Sequence, residues 1–201
     1  MSDQTNLWLE RRFEDLYKEH HDPWGCTAGA DSINNELFLA MIKAGREKWR
    51  WVLDIGCGLG AFSSKIADAT SSMVIGIDVS ETAVRQAEDQ HYGGCVFACR
   101  NILTDKINDL GVFDLVVMSE VLWYVCDQFD IVLEKIKAVM SAGGMLAIHQ
   151  YFPEDQKYYK DFIDGMEGFK KRMDIDWELK GHAISYWQPE GPVMLALYQR
   201  R

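Results

Sequence analysis

No apolar run in the 201-residue sequence approaches the roughly 20 residues that a bilayer-spanning helix needs, so no membrane partner is expected. The opening stretch, MSDQTNLWLERRFEDLYKEHHDPWG, is polar and charged, and no secretory signal is read there. Cysteine is sparse. Cys26, Cys57, Cys95, Cys99 and Cys126 are odd in number, and none forms a CxxC pair. That argues against a disulfide framework and against a zinc site, and a reduced, cytoplasmic chain with no metal is expected. Basic residues are outnumbered: 21 Lys and Arg face 31 Asp and Glu, for a formal net charge of -10. Such a surface repels phosphate backbones, so no nucleic-acid partner is expected. A cationic or neutral small molecule suits it better. Repeats, low-complexity tracts and Pro/Ser-rich linkers are missing, and the four prolines avoid the central region. One domain over 1–201 follows, as a monomer or a homodimer.

What is present is an alternation. Leu7 to His20 spaces Leu9, Phe13, Leu16 and Tyr17 at helical intervals, then breaks at Pro23 and Gly25. A second helix fits Ser32 to Ala44, with Ser32 as N-cap. These make a helical N-terminal extension over 1–48, a candidate lid. The cofactor-binding core is expected over 49–150. Strands are predicted at Trp51–Ile55, Met73–Ile77, Cys95–Cys99, Phe113–Met118 and Met145–His149, with helices at Ala61–Ala69, Ser80–His91 and Asp127–Met140 between them. Strand, helix, strand at this rhythm implies an α/β fold, a Rossmann-like doubly wound parallel sheet with helices on both faces. On the substrate side, 151–201, a helix over Asp155–Arg172 precedes strands at Ala183–Trp187 and Val193–Tyr198. Pro189, Gly191 and Pro192 separate these two, so an antiparallel hairpin closes a sheet of about seven strands.

In such sheets ligands bind beyond the carboxyl ends of the strands. The loop Gly56-Cys57-Gly58-Leu59-Gly60 sits there, after the first strand, and its glycines let a ligand approach the main chain. It satisfies the loose dinucleotide pattern GxGxxG/A with Ala61 in the last place. Asp54, just before the loop, argues against a pyrophosphate, because a carboxylate there opposes it by Coulomb repulsion. A ligand whose end is an ammonium is favoured instead, as in S-adenosyl-L-methionine; the alternative is an ordinary solvated strand-end acid. Asp78 lies 22 residues past Gly56, at the end of the second strand beside Val79. A carboxylate there can accept from both ribose hydroxyls, or it can serve a turn.

The chain resembles the class I, seven-strand S-adenosylmethionine-dependent methyltransferases. VLDIGCGLGAF (Val52–Phe62) looks like their first motif and VIGIDVS like their second. FDLVVMSEVLWYV (Phe113–Val125) looks like the fourth-strand motif and SAGGMLAI (Ser141–Ile148) like the fifth-strand approach. DPWG (Asp22–Gly25) and SEVLWYV also resemble the NodS-like N-methyltransferases of amino-sugar substrates. The resemblance implies that Gly56, Cys57, Gly58 and Gly60 line the methionine end, Asp78 and Val79 the ribose, and Asn101 and Ile102 the adenine. Asn101 stands where the family often has aspartate. Ser119 and Glu120 would face the methionine moiety and the methyl group, with Trp24 closing over the cofactor.

Methyl transfer from an activated sulfonium needs positioning more than a nucleophilic side chain. A base is useful where the acceptor is an ammonium or hydroxyl. Glu120, His149 and Tyr124 qualify by position, although a structural histidine and core aromatics would read the same way. His20, His21, Trp24 and Tyr151 are further lid candidates. The expected function is methyl transfer to a small-molecule acceptor, an amine before a hydroxyl, with a sugar amine as one candidate. A macromolecular methyltransferase and a non-catalytic adenosylmethionine-binding protein are the alternatives.

Overall fold

The computed structural model describes residues 2–29, 31–186 and 190–201. Seven strands form one sheet: β1 Trp51–Ile55, β2 Met73–Asp78, β3 Cys95–Cys99, β4 Phe113–Ser119, β5 Met140–Tyr151, β6 Trp177–Ser185 and β7 Val193–Arg200. Their order is β3-β2-β1-β4-β5-β7-β6. Neighbours from β3 through β5 run parallel, and β7 is antiparallel to both β5 and β6. The chain walks outward from β1 to β3, then returns to lay β4 on the other side of β1. The connections therefore diverge between β1 and β4, and a crevice opens beyond Ile55 and Ser119.

The helices are α1 Ser2–Glu19, α2 Cys26–Gly29, α3 Ile33–Gly45, α4 Ala61–Thr70, α5 Glu81–Asp89, α6 Leu122–Val125, α7 Phe129–Val139 and α8 Gly165–Met173. Alternation along the strands sorts the core into two layers. Val52, Leu115, Val117, Ala147 and Leu195 pack on Phe38 and Ile42 of α3 and Ile66 of α4. Leu53, Ile55, Val116, Met118 and Leu146 pack on Leu133 and Ile136 of α7 and Phe169 of α8. Strands covered on both faces read as continuous apolar runs, which is why β1 and β4 are so plain in the sequence. Each fully buried side chain of this kind contributes about 1.5–3 kcal/mol relative to exposure. Asp114 fastens the start of β1 by accepting from the Arg50 and Trp51 amides.

The fold is the expected sheet with its terminal hairpin, and the boundaries of β1 and β3 are those predicted. Four segments differ. β5, predicted as Met145–His149, runs from Met140 to Tyr151. The predicted helix Asp155–Arg172 forms only as α8. Before it, the buried Gln156 donates to the Tyr158 and Ile163 carbonyls and accepts from the Gly165 amide. Gly165 takes φ +62, which stops α8 from extending backward. Residues 122–128 form α6 and a 3-10 turn, so the helix predicted from Asp127 starts at Phe129. The first hairpin strand begins earlier than predicted, at Trp177, and ends at Ser185; Trp187 and Pro189 lie outside the described residues.

Candidate active site

The loop after β1 turns back under the second strand. The Gly56 and Cys57 amides both donate to the Ile77 carbonyl, at 2.8 and 3.1 Å. Gly56 has φ +75, and a Cβ there would lie 2.5 Å from a Val121 methyl. Gly58 has φ +53, and its Cβ would lie 2.7 Å from the Tyr17 hydroxyl. Both positions need glycine for conformation and for clearance. Their reward is a bare backbone floor in a cleft that encloses about 980 Å³ of space, open to solvent.

Asp78 closes one wall. Its Oδ2 accepts from the Gly58 amide and its Oδ1 from the Ser80 amide, each at 2.9 Å. Burial raises its pKa, opposed by the backbone N–H groups of Ser80, Gly58 and Val79. Each oxygen keeps a second lone pair for a hydroxyl from the cleft. Cys57, Val79 and Ile102 line the same end. Asn101 lines it too, but its amide is engaged: Oδ1 accepts from the Leu103 amide at 2.8 Å, and Nδ2 donates to Glu10.

Glu10 belongs to α1, which lies across the cleft. Glu14, one turn on, accepts from Ser80 Oγ, Thr82 Oγ1 and the Thr82 amide, at 2.7, 2.7 and 3.0 Å. Burial alone would raise its pKa, but the hydrogen bonds from Thr82, Ser80 and Lys18 outweigh it and hold Glu14 at about 2. The carboxylate also meets the amino-terminal end of α5, where negative charge is favoured. Above it the aromatic rings form a roof. Phe13 stands edge-on to Tyr124 with centroids 4.8 Å apart, and Trp24 lies 5.7 Å from Phe13 and 5.3 Å from Tyr17.

At the far wall, Ser119 ends β4 and Glu120 follows in the left-handed region, at φ +58. That conformation is uncommon for a residue with a side chain and is held from several sides. The Glu120 amide donates to the His149 carbonyl at 2.8 Å. Its carboxylate accepts from the Tyr151 amide at 3.0 and 3.2 Å and from Gln150 Nε2 at 2.9 Å. Protein surrounds most of the side chain, yet 44% of its surface faces the cleft mouth. Burial pushes its pKa up to about 7, with the Tyr151 N–H pulling the other way.

The remaining expected site residues fall outside this lining. Asp54 points to the α4 side, the face of Val52. It is 2% exposed and accepts from Ser63 Oγ at 2.5 Å. Burial pushes it up to about 7, against the Ser63 hydrogen bond. It is no solvated strand-end acid and lies beneath the loop, outside the cleft lining. Gly60 opens α4 and gives room to Phe97. His149 sits behind the wall, 7% exposed, with Nδ1 3.0 Å from Ser119 Oγ and Nε2 3.6 Å from Glu120 Oε1. Burial lowers its pKa to about 4, so the ring is neutral at neutral pH and the contact with Glu120 is no ion pair.

Sequence reasoning missed Glu10, Glu14 and Gln150. The first two share a helix face with Phe13 and Tyr17 at i, i+3, i+4 and i+7, a spacing that mixes acids with aromatics on one side. Among the described residues there is no group of three or more His, Cys, Asp or Glu that could hold a metal ion. Among them, too, no helix is long and apolar enough to cross a membrane.

Residues 53–146 match the family described as "Methyltransferase domain". The match runs from β1 into β5 and holds the glycine loop, Asp78 and Glu120. The chain is 28% identical over 131 residues to Nodulation protein S of Sinorhizobium fredii (strain NBRC 101917 / NGR234), covering 62% of this chain and 58% of that protein. It thus spans less than two thirds of that relative's length. Among solved structures it is similar to N-methyltransferase NodS from Bradyrhizobium japonicum WM9 in complex with S-adenosyl-L-homocysteine. The TM-score is 0.72 at 21% identity, over 98% of this chain and 99% of that one. It is also similar to magnesium protoporphyrin IX methyltransferase from Synechocystis PCC 6803 with bound SAM, with a TM-score of 0.71 at 17% identity, over 96% and 97% of the two chains. These likenesses in fold include the helical N-terminus and the hairpin as well as the sheet.

Proposed function

We propose that the protein transfers the methyl group of S-adenosylmethionine to a small-molecule amine. The residues fit that cofactor. Asp78 offers two oxygens to ribose hydroxyls, and the glycine floor admits a methionine chain. Asp78 beside the loop favours a cationic ligand over a pyrophosphate. The observation that carries the amine reading is Glu120, a carboxylate held rigidly by Gln150 and Tyr151 where the loop, the roof and the cleft mouth meet.

The cofactor supplies a methyl group already activated on a sulfonium. Glu120 attracts an incoming ammonium and takes its proton. With that proton on Glu120, the acceptor nitrogen would hold a free electron pair to receive the methyl group that a bound sulfonium would supply. A pKa of about 7 suits a group that gains and loses a proton near neutral pH. Burial raises the Tyr124 pKa, so its phenol stays a hydrogen-bond donor to the acceptor. His149 and Ser119 back the wall and keep Glu120 in place.

The test is thermal and then catalytic. S-adenosylhomocysteine is expected to raise Tm by ligand linkage, and NAD at equal concentration to leave it unmoved. Isotope transfer from adenosylmethionine into a panel of amines and alcohols then reads the acceptor class. Stabilisation by NAD alone would overturn the cofactor reading; binding without turnover would leave a non-catalytic binder.

The same reading makes α1 and the Trp24 turn a lid that excludes water from the transfer. Asp22 shapes that turn by accepting from the Cys26 and Thr27 amides, at 2.8 and 2.9 Å. Glu14 is its latch. Proteolysis between His20 and Thr27 is expected to slow when S-adenosylhomocysteine is bound and to quicken in Glu14→Ala. Equal cleavage in all three samples would remove the lid from the mechanism.

A further inference from the structure

We propose that Glu10, carried on α1, reads the amino group at the six-position of the bound purine. The proposal rests on the cofactor reading above and adds a specificity element that comes from outside the matched domain. The base would lie against Asn101 and Ile102, after β3. An adenine presents a donor there, its exocyclic amino group, and needs an acceptor.

Asn101 is poorly placed to be that acceptor. Its Oδ1 is drawn onto its own loop by the Leu103 amide, and its main-chain N–H is fixed by Asp105 Oδ2 at 2.9 Å. The side chain therefore turns its NH2 toward the cleft, and Glu10 Oε1 receives it. Arg100, also at this end, brings only donors, one of them spent on the Cys99 carbonyl at 2.9 Å. Glu10 is the carboxylate that meets this corner. It has about four acceptor sites, and Asn101 uses one.

The register of α1 is not free. Glu14, one helical turn away, is fastened to Ser80 and Thr82 next to Asp78. Seating Glu14 thus delivers Glu10 to the base end of the same nucleoside whose ribose Asp78 would hold. A purine with an oxo group at the six-position would bring a carbonyl oxygen against a carboxylate, which is repulsive. The pair Asn101–Glu10 consequently selects adenosine over inosine, and it does so only when the lid helix is down.

The experiment is calorimetric titration of the full chain with S-adenosylhomocysteine and with S-inosylhomocysteine, its six-oxo counterpart. Wild type is expected to prefer the adenosyl ligand by at least about tenfold, as expected of a site built around a hydrogen-bonding group. Glu10→Ala should bring the two affinities to within about threefold, by loss on the adenosyl side and relief of the repulsion on the inosyl side. Glu10→Gln, whose amide can donate to an oxo group, should narrow the preference from the inosyl side. Equal weakening of both ligands by Glu10→Ala would mean that Glu10 only seats the helix, and the proposal would fall. No preference in wild type would overturn it as well. If wild type binds neither ligand, the cofactor reading falls along with it; if binding and preference survive Glu10→Ala, only the present proposal does. Glu10 is half-buried on a helix surface, and the unfolding midpoint of each variant without ligand reports that the fold is intact.

Discussion

Glu120→Gln is expected to lower kcat/KM for an amine acceptor by on the order of 10²-fold, the scale for a positioned acid or base, with cofactor affinity little changed. The substitution keeps the shape. Oε2 accepts from Gln150 Nε2 at 2.9 Å and from the Tyr151 amide at 3.2 Å, bonds that a glutamine oxygen in that place retains, while the new NH2 replaces Oε1 and gives up its 3.0 Å bond from the same amide. What is lost is the charge and the ability to take a proton. The pH profile separates this from mere disturbance. Glu120 acts only when ionised, and burial pushes it up to about 7. Wild-type activity should therefore rise with pH through about 7, in addition to the rise from the amine's own ionisation. The variant should show the amine's ionisation alone, and should lose most where the ammonium form dominates. Superimposable profiles would remove Glu120 from proton transfer. Turnover of hydroxyl acceptors alone, with a silent variant, would end the amine assignment and leave the cofactor assignment standing.

The parts legible in the sequence were those governed by local rules. β1 and the glycine loop could be read because a buried parallel strand is an unbroken apolar run and a left-handed turn needs glycine, and β3, an edge strand with Val96 exposed, was legible from its short apolar run. Ser32 and Ser80 cap α3 and α5 as their side chains suggest, by accepting from Asn35 and Ala83 amides. The illegible parts were settled by contacts far apart in the chain. Asp155–Phe162 has helical spacing, yet Gln156 offers its carbonyls and the Gly165 amide better partners. Asp54 was read as a charge facing the ligand. Strand alternation turns it with Val52 toward α4, and Ser63 receives it. Glu10 and Glu14 carry no local mark, because nothing in the sequence announces that α5 and the β3 loop lie opposite. Gln150 stands in an apolar strand with no motif around it, and only the left-handed turn at Glu120 brings the two together.

Asp78→Ala is expected to weaken S-adenosylhomocysteine by about 1–3 kcal/mol, or about 5- to 150-fold in Kd, the scale for leaving buried polar partners unpaired. Two losses combine. The ribose hydroxyls lose their acceptor, and the Gly58 and Ser80 amides lose theirs, so the loop itself is less firmly set. Asp78→Asn is not a mild version of this change. Asp78 accepts on both oxygens, whereas an asparagine has one acceptor and must turn its NH2 toward either the Gly58 or the Ser80 N–H. Two donors then face each other, and Asn should lose nearly as much as Ala. The two losses can be separated with a 2′-deoxy analogue of the ligand in a double-mutant cycle. Wild type should bind the analogue more weakly than S-adenosylhomocysteine, because Asp78 no longer finds that hydroxyl. Asp78→Ala should bind the two equally, since the partner is gone from both sides. The drop common to both ligands is then the share that belongs to the loop. A cycle with no coupling would assign Asp78 to the loop alone, and the ribose would have to be held by groups on the other wall of the cleft.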